Sequence, residues 1–599
     1  MPASIARARN ATSNPVTINN QIAALSEDRA AVDRDSRKAR FDPGLLVVLS
    51  LPWVVLRFDT TWLFAYATSS FGFIDPWVYF GFFFDLTQHI RSFKGAYFTT
   101  RLTWTVPGAV IYHLFSPLTA TYVLHVALFY GAIFSLYLIL KITVSRRAAL
   151  LTTLLMAFHS YFLWSIGWSY IDGPANTLVL LTLAALTFAA RSARSKWWLL
   201  AAGALAAKAF YCQFFLIVFS PLVFGFYYFA RRQMGNRRST SDWKPFAWGF
   251  AFVTVAYGLF NMAINGRFLF FINSVGTAAK LVINHNPYND ATYGWLAGAS
   301  WLVLPAIATI GAILCLVRRQ SILSVPNAEF LLFWQRYLLL SVLIMAFWQL
   351  VGQPVLQLFT YSSYLMPAVF LALGSQIAIV SHRLGKSSLA LVYVGFLLVG
   401  ILPLWLPIDS GLMLTLKHHS ILFSSVIGVI AVGAIATETG RVAAWALLAL
   451  SISLGALNAA TSTRTWSHGS LPHDEASQKY AMLAIVDSIR LTKQLDPGDN
   501  LYFWYDGEGR LGRLYRSVAS TYLWAYRLQS ESFPDFGPKA PPPQRRILIL
   551  TEDADHAMQR AQASLSQAGL NANLLTQREI HEGPFRWDVI EIQITEPPN

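Results

Sequence analysis

Long apolar blocks dominate the chain, and charge collects at their ends. The first block runs from about Leu45 to Trp62. Others follow at approximately 119–140, 148–166, 174–190, 197–210, 212–230, 246–264, 296–317, 330–350, 361–381, 388–407, 419–437 and 441–459. A helix needs roughly 17 to 25 apolar residues to cross the hydrocarbon of a bilayer. Most blocks meet that length and are apolar on every face, as in helices facing lipid or buried in a bundle. The pattern predicts a polytopic α-helical membrane protein with about 13 transmembrane helices. The shortest block, 197–210, and the block at 330–350, which carries Arg336, fit least well.

Past about Thr461 the pattern changes. Charge and proline appear and the long apolar blocks stop. Glu475 to Leu495 and Asp553 to Ala568 show helical periodicity. Leu501 to Tyr505, Arg546 to Leu550 and Trp587 to Ile594 are short runs of strand type. Residues 461–599 are therefore predicted to form a soluble α/β domain, with Pro538 to Pro543 as a stiff connector. Residues 1–41, polar and of mixed charge, read as a flexible tail rather than a signal peptide. The transmembrane domain is expected over 42–460, with a long loop at 59–115. Phe80 to Phe93 in that loop is too polar to span and too apolar for open loop, which predicts helices lying in the membrane interface.

Composition agrees with this picture. Of 599 residues, 55% are hydrophobic and 13% charged, about half the charged share of an average soluble chain, roughly 25%. The net charge of +15 could suggest nucleic acid, but the basic residues flank the apolar blocks, as topology and anionic headgroups require. Arg37, Lys38 and Arg40 precede the first block. Lys141, Arg146 and Arg147, then Arg191, Arg194 and Lys196, then Arg231 to Lys244, Arg318 with Arg319, and Arg383 with Lys386 fall in alternate connections. All reach one side if the N-terminus is cytoplasmic, and an odd span count then puts the C-terminal domain outside. The two cysteines, Cys212 and Cys315, lie inside apolar blocks and offer no metal framework.

An ionisable group at membrane depth is costly unless paired, so it marks a candidate site. Asp75, in Phe73-Ile74-Asp75-Pro76-Trp77-Val78-Tyr79, lies just after the first span; Asp-Pro is also a good helix start. Asp172, in Trp168-Ser169-Tyr170-Ile171-Asp172-Gly173-Pro174, falls on the same outer side, in what is also turn chemistry. Arg91, Lys94 and Arg101 sit on the outer loop against the positive-inside trend. They suit either phosphate or, more plainly, lipid headgroups and Asp85. Lys208 near the end of a short span reads as a phosphate ligand or a snorkelling side chain. Asp59 beside Arg57 reads as an ion pair. His89 and His285 have no partner at metal-ligand spacing.

In their order these residues resemble the GT-C superfamily of membrane glycosyltransferases, which includes protein O-mannosyltransferases and lipid A aminoarabinose transferases. The resemblance runs from an outer-loop acid followed by Tyr (Asp75, Tyr79), through Gly95, Tyr97, Arg101 and Pro107. It continues through Leu114-Phe115-Ser116-Pro117 to a second Asp opening the fourth span, Asp172. It covers about residues 45 to 235, and elsewhere only the layout. Such a family implies transfer of a sugar from a polyprenyl phosphate or diphosphate lipid to an acceptor hydroxyl of a glycan, lipid or protein at the outer face, with inversion, in a bacterial inner membrane. It implies Asp75 as catalytic base, Asp172 orienting the acceptor or a basic partner, Arg101, Lys208 and Arg91 at the donor phosphate, and Tyr79, Tyr97, Tyr211 and His285 lining the substrate. The family usually has Asp-Glu where this chain has Asp75-Pro76. Some members use a divalent cation and others do not, so the resemblance fixes no cofactor. A transporter or flippase is the alternative reading, though it predicts internal repeats and broken helices at mid-depth. A scaffold that kept the fold and lost the chemistry is the third.

Overall fold

The computed structural model describes residues 42–58, 75–94, 96–192, 194–234, 243–283, 303–383, 475–494, 501–506, 511–521, 530–533 and 546–595, with scattered positions between 289 and 302. The chain falls into two compact units, Met1–Val47 and Val48–Asn599. All that follows concerns the second.

Six described helices are long and apolar enough to cross a membrane: Pro117–Thr143, Asp172–Arg191, Phe214–Gln233, Trp243–Asn265, Ala328–Leu350 and Phe359–His382. A bent pair, Arg146–Ala157 with Tyr161–Gly167, makes a seventh if taken as one span. Each coincides with an apolar block of the sequence. Three other blocks give shorter elements. The first block lies in a helix at Pro43–Phe58, the 197–210 block in Ser195–Cys212, and the 296–317 block in Val303–Val317 after a single 3-10 turn at Ser300–Leu302. The expected spans at 388–407, 419–437 and 441–459 lie outside the described residues, as do Asp59, Gly95, His285 and the Pro538–Pro543 run.

Amides tie part of the bundle together. Gln376 Nε2 donates to Gln335 Oε1 at 2.9 Å and to the Ala308 carbonyl at 2.9 Å, while Gln335 Nε2 reaches the Ala372 carbonyl at 3.1 Å. These bonds link three helices whose apolar surfaces alone would find lipid as good a neighbour as protein.

The loop after the first helix is built, not open. Asp75–Phe84 and Leu86–Ser92 are helices, joined by a 3-10 turn, Tyr97–Thr100, to a helix at Leu102–Leu114. Residues Pro76 to Phe83 are all buried. The two helices expected between Phe80 and Phe93 are thus present, with the first enclosed by protein: Phe83 packs edge-on against Trp104, and a helix at Gly512–Thr521 covers its far side.

The C-terminal residues form a five-stranded sheet in the order β2-β1-β3-β5-β4, where β1 is Leu501–Asp506, β2 Ser530–Phe533, β3 Arg546–Thr551, β4 Asn571–Glu582 and β5 Phe585–Thr595. β1 runs parallel to β2 and β3; β5 runs antiparallel to β3 and β4. Period-2 alternation sends Tyr502, Trp504, Ile547 and Ile549 to one face, against Ala557, Ala561 and Leu565 of the helix Ala554–Gln567. Phe503, Leu548, Leu550 and Trp587 go to the other. There Trp587 Nε1 donates to Ser488 Oγ at 3.1 Å, in the helix Glu475–Gln494. Four expected elements are present, and the Gly512–Thr521 helix, β2 and β4 are additions to the expectation.

Candidate functional site

Asp75 is the first residue of its helix, where Pro76 is free to lack an N–H and the positive end of the helix favours a carboxylate. Its Oδ2 accepts from the Tyr97 hydroxyl at 2.8 Å and from the Tyr170 hydroxyl at 3.4 Å. Burial holds the Asp75 carboxyl above the usual carboxylate range. The Tyr97 and Tyr170 hydrogen bonds, then the charge of Arg101, pull it back down.

Arg101 follows the 3-10 turn that carries Tyr97 and is 6% exposed. Its guanidinium carbon lies 5.8 Å from the Tyr97 ring centroid. Nη1 donates to the Cys212 carbonyl and, at 3.1 Å, to Gln213 Oε1. Gln213 Nε2 in turn donates to the Tyr364 hydroxyl at 3.1 Å, and Tyr364 donates to Asp172 Oδ1 at 2.7 Å. One chain of contacts thus runs from Asp75 through Tyr97, Arg101, Gln213 and Tyr364 to Asp172.

Asp172 is 1% exposed and opens the helix Asp172–Arg191. The approach to it is shaped by Ser169, a non-glycine residue at φ 56°, a conformation that costs on the order of 1 kcal/mol and collects at functional sites. The Trp104 indole holds the Ser169 carbonyl at 3.3 Å. Gly173 admits no Cβ, because the backbone of Ser165 and Ile166 occupies that space. This close approach seats the helix start.

Among the described residues, Asp172 Oδ2, Arg101 Nε and the Tyr79 hydroxyl are buried with no hydrogen-bond partner. Such atoms cost roughly 1–3 kcal/mol each, so a polar ligand is the natural complement to them. A cavity of about 270 Å3 between the helices reaches Tyr364, with Phe210, Phe250, Val223 and Tyr337 among its largely apolar walls. A second cavity of about 410 Å3 borders the Tyr97–Thr100 turn and is lined by Lys94, Thr99, Asn261, Asn265 and Arg267 with apolar neighbours. Among the described residues no three His, Cys, Asp or Glu side chains gather into a metal-holding group. The tyrosines already engage both carboxylates, and the described residues provide no cradle for a divalent cation.

Of the site residues expected from sequence, Asp75, Tyr97, Arg101 and Asp172 come together. Tyr79 joins them through its ring, edge-on to Tyr170 at 5.6 Å and Phe98 at 5.5 Å. Tyr211 is buried elsewhere, its hydroxyl 2.9 Å from Thr254 Oγ1 and its ring 4.9 Å from Phe270. Lys208 and Arg91 are exposed, on Ser195–Cys212 and Leu86–Ser92, with no described hydrogen bond to the cluster. Gln213, Tyr364 and Tyr170 are the additions. Tyr170 stood inside the Asp172 motif; Gln213 and Tyr364 sat in apolar blocks where a tyrosine reads as an interfacial anchor.

A membrane bundle with a buried, tyrosine-bound pair of carboxylates around one arginine defines a transferase-type site on a polytopic scaffold. Residues 101–259 match the family model of dolichyl-phosphate-mannose-protein mannosyltransferases. This match bears out the resemblance to GT-C glycosyltransferases over the segment that holds Arg101, Asp172 and Gln213. No curated protein matches the chain. Among solved structures, ArnT from Cupriavidus metallidurans in the apo state is 12% identical, covering 92% of this chain and 98% of that chain, at a TM-score of 0.44. The same protein bound to undecaprenyl phosphate is 13% identical, covering 90% and 98%, at a TM-score of 0.46.

Proposed function

We propose that this protein transfers a sugar from a polyprenyl-phosphate-linked donor to an acceptor hydroxyl at the outer face of the membrane, with inversion. The observation that carries the reading is the continuous contact path joining Asp75, Arg101 and Asp172, next to an apolar cavity that ends at Tyr364. A polyprenyl chain suits the cavity, and its phosphate suits Arg101, whose Nε has no described partner. The mannosyltransferase model supports the chemistry over the same segment.

In this reading the acceptor oxygen attacks the anomeric carbon. The bond from that carbon to the lipid phosphate oxygen breaks, and the electron pair leaves with the phosphate. Asp75 takes the acceptor proton, a general-base role for which a carboxylate raised by burial is better matched to neutral pH than an ordinary one. Arg101 stabilises the charge that builds on the leaving phosphate in a water-poor site. Asp172, held by Tyr364, orients the acceptor through its free Oδ2. The cavity beside the Tyr97–Thr100 turn gives a hydroxyl-rich acceptor a polar seat. The basic flanks of alternate connections support an N-terminus inside and a C-terminal region outside.

The test is an Asp75→Asn variant supplied with radiolabelled polyprenyl-phosphate hexoses and pentoses in membranes. Loss of labelled glycan, lipid or protein product is expected, with retained binding of polyprenyl phosphate. Undiminished transfer would sink the assignment of Asp75.

A further inference from the structure

We propose that the C-terminal region positions the Asp75 helix, seated in a notch at Gly81 and clasped by His89. Asp75 occupies the first position of the Asp75–Phe84 helix, and Gly81 lies six residues on, about 9 Å along the axis at 1.5 Å per residue. A Cβ at Gly81 would collide with the carbonyl oxygen of Thr521 and with His89 Nε2. Thr521 is fully buried and ends the helix Gly512–Thr521. Its carbonyl is one of the four a helix leaves without an internal partner, and it enters the space that glycine leaves empty.

His89 holds it there. Nε2 lies 2.7 Å from the Thr521 carbonyl oxygen and Nδ1 lies 2.8 Å from the Asp85 carbonyl oxygen. Both partners can only accept. A neutral imidazole has one N–H to give, whereas an imidazolium has two, so the charged ring completes the clasp. The negative end of the Gly512–Thr521 helix favours that charge. The ring is fully buried between Phe82, at 5.2 Å, and Phe93, at 5.9 Å. With Pro76 to Phe83 buried as well, the helix moves as a packed unit, and a shift at Gly81 reaches Asp75. His89 and Gly81 are thus positioning residues, and the C-terminal region is a working part of the site rather than a cover over it.

This inference rests on Asp75 as the base, and the experiment separates the two. Full-length Gly81→Ala, His89→Phe and His89→Gln proteins are compared with the parent by hydrogen exchange at 75–84 and 512–521, and by transfer from radiolabelled polyprenyl-phosphate hexoses and pentoses. Gly81→Ala and His89→Phe are expected to raise exchange in both segments and to lower kcat about tenfold or more, since misplacement by about 1 Å can cost 100-fold. The KM for the lipid donor stays within about twofold, because Arg101 lies outside the clasp. As Asp75 loses its enclosure, the acid limb of kcat moves toward the ordinary carboxylate range. His89→Gln, which keeps an N–H for Thr521, recovers part of the loss and carries the test if Gly81→Ala fails to fold. Unchanged exchange in either segment, or raised exchange with parental kcat, would overturn the proposal. Normal transfer by Asp75→Asn would instead overturn the base assignment and leave the exchange result standing.

Discussion

Tyr364 donates its hydroxyl hydrogen bond to Asp172 Oδ1 across 2.7 Å, although 192 residues separate them in sequence. The bond joins the start of one membrane helix to the start of another and leaves Oδ2 of Asp172 without a described partner. Tyr364→Phe keeps the ring and removes the donor. Transfer is expected to fall on the order of tenfold, the share of a hydrogen bond to a charged group worth roughly 1.5–3 kcal/mol that is lost at the transition state. Asp172→Asn in the same background should then cost little more, because the two act as one unit. Full additivity of the two losses in a double-mutant cycle would argue against that unit.

Arg101 is enclosed between the Tyr97 ring, the Cys212 carbonyl and Gln213. Lysine cannot reproduce a planar fork that serves several partners. Arg101→Lys is therefore expected to lose at least about 100-fold in kcat/KM, the scale of an electrostatic group aimed at developing charge. Gln213→Leu, which removes one of its partners, should lose less. Polyprenyl phosphate binding to the two variants provides the check: equal affinity in parent and Arg101→Lys would remove the phosphate from Arg101.

Trp587 is 1% exposed and donates to the buried Ser488 hydroxyl, joining the sheet to the Glu475–Gln494 helix. Trp587→Ala should lower the stability of the C-terminal region by about 3–5 kcal/mol. Ser488→Ala leaves a buried indole N–H unpaired and should cost about 1–3 kcal/mol. Denaturant unfolding followed by tryptophan fluorescence, or exchange within β5, measures both. An order reversed between the two would contradict the packing described.

The bundle was legible because span length and helical period are written in the apolar blocks themselves. The blocks at 119–140 and 330–350 became Pro117–Thr143 and Ala328–Leu350 nearly unchanged. Asp75, Arg101 and Asp172 were legible for the same reason inverted: charge in apolar surroundings has to be explained. Gln213 and Tyr364 were not. Each is one polar group at the edge of an apolar run, and only tertiary contact shows that they bridge Arg101 and Asp172. β4 escaped because Asn571–Glu582 is mostly exposed and polar, with pairing on one side to β5, so its strand character comes from its neighbour rather than its own alternation.

Tyr97 gives the most direct test of the Asp75 environment. Burial favours the neutral carboxyl and raises its pKa; the Tyr97 hydroxyl, 2.8 Å from Oδ2, favours the charged form and lowers it. Tyr97→Phe removes the second influence and keeps the first, so the Asp75 pKa rises further. The base is active only as the carboxylate. Transfer is therefore absent below that pKa, present above it, and the acid limb of kcat/KM must move to higher pH in the variant. On the limb the variant is the slower enzyme. Well above it the two rates converge, apart from any loss in the Arg101 contact that the ring retains at 5.8 Å. Tyr170→Phe should move the limb the same way by less, since its hydroxyl sits at 3.4 Å. A limb that stays fixed in Tyr97→Phe, or moves to lower pH, would show that the titrating group is not Asp75.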